Sequence, residues 1–85
     1  MSTRDKSELS EDVIKRLKII GEKLTKERQA IEPNYKKFAE KHDINNMTLW
    51  RMQQGHDFKM SKLIQVLDGI GISLEQFFKN FDKEK

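Results

Sequence analysis

Five side chains near the middle of this chain, Asn46, Met47, Trp50, Arg51 and Gln54, could together read the edge of a nucleic acid. At about 100° per residue, a helix starting after Asn45 puts Leu49 and Met52 on one side and these five on the opposite arc. None of the five is acidic, in a chain where 14 of 85 residues are Asp or Glu. Asn46 both donates and accepts, which suits adenine's exposed edge, and Arg51 can grip a guanine or a phosphate with two parallel hydrogen bonds. Met47 can touch a thymine methyl. Each residue also has a plainer reading. A surface arginine is most often just solvated, an asparagine beside a helix start favours the turn, and the flexible thioether of Met47 suits a protein groove as well. For Trp50 packing is the stronger reading, over His42 or against a second subunit, with nucleic-acid contact behind it.

That arc needs a scaffold, and the run NYKKFAEKHDINNMTLWRMQQG, residues 34–55, supplies one. It reads as two short helices joined by a tight turn, locked together by Phe38, Ala39, Ile44, Leu49 and Met52. Asn34 caps the first helix, which runs to about His42. Asp43 sits at the corner, where a left-handed backbone is tolerated better by Asp than by most residues. Asn45 caps the second helix, which reaches Gln54 and stops at Gly55.

Before this unit, Val13, Ile14, Leu17, Ile20, Leu24 and Ile31 follow helical spacing from an N-cap at Ser10. Gly21 interrupts that helix at a cost of about 1 kcal/mol against alanine, which close approach of another helix would offset. Pro33, the only proline, ends it. After a polar loop at 56–59, Met60, Leu63, Ile64, Val66, Leu67 and Ile70 form a fourth helix ending at Gly71. Ser73, with Gln76 three places on, opens a fifth carrying Leu74, Phe77 and Phe78. Nothing alternates like a strand. The expectation is an all-α protein of five helices, with a flexible arm at 1–9, the helix-turn-helix domain at 10–80 and a polar tail at 81–85.

Bulk properties narrow the function classes. Eighty-five residues without cysteine make one small domain that neither disulfides nor thiolate metal sites can staple. The net charge of +3 is unevenly spread: residues 14–33 and 34–62 each sum to +3, while 1–13 sum to −2 and 63–85 to −1. Positive charge thus gathers around the two-helix unit, as a polyanion partner would require, although a solvated surface shows some of this too. No apolar run approaches the roughly 18 residues of a membrane span. The start, MSTRDKSELSED, has no secretory stretch. A cytoplasmic protein without membrane partners is expected. Enzyme chemistry is not expected: the only histidines, His42 and His56, lie fourteen apart, and no paired carboxylates, phosphate loop or nucleophile motif stands out. Nor is a cofactor or metal.

From about residue 20 to 78 the chain resembles the Cro and lambda-repressor-like helix-turn-helix family, also called XRE. The matching pieces are IGEKLTKERQ, FAEKHDIN, MTLWRMQQG and LIQVLDGIGISLEQFF, in the family's order and spacing. The resemblance implies a five-helix domain whose third helix enters the major groove. It makes Asn46, Met47 and Arg51, with Trp50 beside them, the base-contacting positions. Asn34, Tyr35 and Lys36 at the start of the second helix then meet phosphate, as do Gln54 and the following loop with His56 and Lys59. Three positions depart from the pattern. Asp43 replaces the usual corner glycine, Trp50 is bulky for its place, and Gln53 replaces the glutamate that often pairs with the arginine matched by Arg28. Arg28 is therefore expected to be less tied down and to serve a phosphate. The stretch before about Leu17 lies outside the pattern and is expected to extend the first helix, as a cover for the core or a dimer contact. The implied function is sequence-specific duplex binding by a small transcriptional regulator, as a homodimer. The alternative is a protein-interaction module of the same fold, antitoxin-like or binding a co-regulator.

Overall fold

The structure, a computed structural model, describes residues 9–79 and 81; nearly all of the expected N-terminal arm and polar tail lies outside them. Five helices and no strands are found among the described residues. Helix α1, Glu11–Ile31, starts at Ser10, whose hydroxyl accepts from the Val13 N–H, and has Glu11 and Asp12 in its first turn, where carboxylates suit the positive helix end. It stops where Pro33 forces Glu32 into an extended conformation, φ −147° and ψ 107°. Helix α2, Tyr35–Lys41, and helix α3, Asn46–Gln53, are capped by the side chains of Asn34 and Asn45, each accepting from two backbone N–H groups. Between them Asp43 takes the left-handed φ of 57°, and the Ile44 N–H donates to the Ala39 carbonyl at 2.7 Å, which turns the chain sharply. Helix α4, Met60–Ile70, ends in a left-handed Gly71, and helix α5, Leu74–Phe78, opens with the reciprocal Ser73–Gln76 capping box.

The core draws on every helix: Leu24 from α1, Phe38 and Ala39 from α2, Leu49 and Met52 from α3, Leu63, Val66 and Leu67 from α4, and Phe77 from α5. Gly21 is where α1 and α3 meet. A Cβ there would sit 2.7 Å from the carbonyl oxygens of both Met52 and Gln53, so only glycine lets the two backbones come this close. His42 closes α2 with its ring against Phe38, centroids 4.6 Å apart.

The apolar stripe of α1 is longer than the core beneath it. Val13 is 42% and Ile31 58% exposed, and Ile14 is also exposed, so the stretch before Leu17 extends the helix without covering the core. The reason is length. At about 1.5 Å per residue, 21 residues make a rod nearly three times as long as α2 or α3, more than these two can cover. None of the described helices is long and apolar enough to cross a membrane.

Candidate nucleic-acid interface

Helix α3 is held by one side and presented by the other. Leu49 and Met52 are fully buried and Gly21 presses against the carbonyls of Met52 and Gln53, which fixes the rotation of the helix about its axis. Asn46, Met47, Trp50, Arg51 and Gln54 are then all exposed, Met47 by 60% and Trp50 by 40%. These are the five residues of the carboxylate-free arc. Asn45 satisfies the N–H groups of Met47 and Thr48 at 2.9 and 3.1 Å, so the first turn is rigid where Asn46 and Met47 leave it.

The arc is flanked by hollows. On the α2 side, Tyr35, Lys36, Asn46, Met47 and Trp50 line an open groove of about 330 Å³. Trp50 belongs to this groove, while His42, one of the two packing partners expected for it beside a second subunit, lies against Phe38. On the other side, Thr48, Arg51 and Met52 face the 56–59 loop and α4 across a hollow of about 290 Å³, which also takes in Asp57, Phe58, Lys59 and Lys62. A third hollow, below the C-terminal end of α3, joins Arg51, Gln54 and His56 to Leu9, Ile14, Leu17 and Lys18 of the chain's start. Arg51 therefore stands between two hollows, both of which contain Asp57. The carboxylate of Asp57 accepts from its own chain's Phe58 N–H at 2.8 Å.

The residues expected on phosphates divide. Lys36, His56 and Lys59 are exposed near the arc, and the His56 N–H donates to the Arg51 carbonyl at 3.0 Å, which ties the loop to the end of α3. Tyr35 is half-buried against the core and also lines the groove. The oxygen of the Asn34 side chain is taken by the Lys36 and Lys37 N–H groups, and its own N–H donates to the Glu32 carboxylate at 3.0 Å. A carboxylate thus already occupies that turn.

Arg28 is a correction. It is only 3% exposed, and it makes three hydrogen bonds within the protein. Its Nε donates to Oε1 of Gln53 at 3.0 Å, and one terminal nitrogen donates to the carbonyls of Glu32 and Pro33, both at 2.9 Å. Burial pulls its pKa below the usual guanidinium value, and the nearby Glu32 carboxylate opposes that pull. The amide oxygen of Gln53 accepts the hydrogen bond that a glutamate would, so the absence of the acid does not free Arg28 for phosphate. Arg28 clamps the end of α1 to the end of α3.

Asp57, Lys62 and Thr48 were absent from the sequence reading of this surface. Only the loop's return across α3 brings Asp57 and Lys62 to Arg51, and no spacing signal marks that. Thr48 follows Met47 on the same helix and is half-buried, which helical spacing alone does not show. No group of three His, Asp or Glu among the described residues is placed to hold a metal ion. Among protein-family models, curated proteins and solved structures, none matches this chain.

Proposed function

We propose that the protein is a small sequence-specific duplex-DNA-binding regulator of the lambda-repressor-like type, acting as a homodimer with α3 in the major groove. The observation that carries this reading is the outward face of α3, on which Asn46, Met47, Trp50, Arg51 and Gln54 are exposed without a carboxylate. Hydrogen-bonding side chains on a rigid helix are what base-edge reading needs, and Lys36, Lys59 and Lys62 beside it offer positive charge to the backbone. Nothing in this reading uses Arg28.

The test is selection of bound duplexes from a random pool, followed by titration in salt. A winning sequence should contain two inverted half-sites. If Arg51 and the three lysines each neutralise one phosphate, raising salt from about 50 to 200 mM should cost a protomer about a hundredfold in affinity. Binding that is flat in salt, or a pool that yields no enriched sequence, overturns the proposal.

A second reading, capture of a protein partner by the same face, is favoured by the exposed Met47 and Trp50. Replacing Asn46 and Arg51 by alanine separates the two. Loss of DNA retention supports the first. Loss of a protein partner with DNA retention intact supports the second.

A further inference from the structure

We infer that the groove between α2 and α3 seats the 5-methyl group of a thymine in the major groove, so that the protein reads an adenine–thymine step and not adenine alone. This rests on the duplex-binding reading above and adds the identity of one base. Three of the five groove residues, Tyr35, Met47 and Trp50, present apolar or aromatic surface, and none is a carboxylate. Lys36 supplies a cation at the rim, in keeping with a strand of phosphates passing over it. Among the four bases seen from the major groove, thymine alone presents an apolar group; every other distinguishing feature is a hydrogen-bond donor or acceptor. An apolar groove with a positive rim therefore has one natural occupant on a DNA duplex. Asn46 lines the same groove and carries the donor and acceptor that adenine's edge requires, so both contacts are made from one groove. The adjoining hollow between Lys36 and Asn46 carries the Glu40 carboxylate, which suits an apolar methyl less than the side of Met47 and Trp50.

Deoxyuridine tests this, because it differs from thymidine in the base only by the absent methyl. Each thymine of the selected duplex is replaced in turn and the dissociation constant measured for the wild-type protein and for Met47→Ala and Trp50→Ala. Both side chains are exposed, and circular dichroism verifies that the variants keep their helices. Loss of one buried methyl should weaken binding about fourfold at one thymine of each half-site. That sensitivity should shrink to near zero in at least one variant, and Trp50→Phe, which keeps a ring in place, should restore part of it. A duplex that binds tightly yet responds at no thymine overturns the inference and leaves the duplex-binding reading standing. So does a response that persists undiminished in both alanine variants. A pool without any enriched duplex overturns both.

Discussion

Arg28 and Arg51 show how little residue type says about role. Arg28 makes three hydrogen bonds, to Gln53, Glu32 and Pro33, and has almost no surface. Its replacement by methionine keeps most of the bulk but leaves an amide oxygen and two carbonyls without their donor, at about 1–3 kcal/mol. In a domain of this size we expect the melting temperature to fall by about 5–20 °C, read by thermal unfolding. Arg28→Lys should recover only part of it, because one ammonium cannot reproduce the planar guanidinium fork. Arg51→Ala should do the reverse. Its exposed side chain can be removed within about 0.5 kcal/mol of wild-type stability, while retention on the selected duplex drops at least tenfold by gel shift. An Arg51→Ala protein that unfolds early, or an Arg28→Met protein as stable as wild type, would assign the two arginines wrongly. In the sequence both are a basic residue on a helix. What separates them is a contact 25 residues away, between Arg28 and Gln53, which periodicity along one helix does not register.

At the scale of the element, the most sensitive joint is the crossing of α1 and α3. Gly21→Ala improves intrinsic helix propensity by about 1 kcal/mol, yet it drives a methyl to 2.7 Å from two backbone oxygens that are not free to swing aside. Overpacking of this kind costs about 1–3 kcal/mol, so the net effect should be a lower urea midpoint. Because Gly21 also sets how far α3 stands from α1, the same variant should lose sequence discrimination as well as stability. A Gly21→Ala protein with a raised midpoint would refute the close approach. Most local decisions at this scale were legible. The caps at Ser10, Asn34, Asn45 and Ser73, the left-handed Asp43 and the stop at Pro33 all follow from chemistry within four residues, and the structure has each of them. The extent of burial was not. The α1 pattern marks Val13, Ile14 and Ile31 as apolar on helical spacing, but which of them is covered depends on how short α2 and α3 are and on where they cross. The same limit hid Asp57 beside Arg51, since a loop's path over a helix leaves no trace in helical spacing.

For the whole molecule, the deciding quantity is how much sequence one copy can read against its size. The exposed arc of α3 spans residues 46–54, little more than two turns, and on the proposed function would reach only a few base pairs. Useful discrimination against the rest of a genome needs roughly double that, and each mismatched pair adds about 1–3 kcal/mol. Two copies solve this if both recognition helices fall on one side of the duplex, which sets half-site centres about 34 Å apart, one helical turn. The described residues measure 42 × 29 × 18 Å along their principal axes, so two copies centred one turn apart would touch with their long axes along the duplex and not across it. The expected consequence is a dependence on spacing. Inserting about five base pairs between the half-sites puts them on opposite faces of the duplex, and the tight two-copy complex should give way to two independent, weaker ones. Inserting about ten base pairs restores the face but opens the gap, so the two copies should again bind independently, as after the five-base-pair insertion. Gel shift with stoichiometry read by analytical ultracentrifugation distinguishes these outcomes. Affinity that is indifferent to the five-base-pair insertion would mean that each copy binds alone, and the homodimer would have to be abandoned while α3 kept its place in the groove.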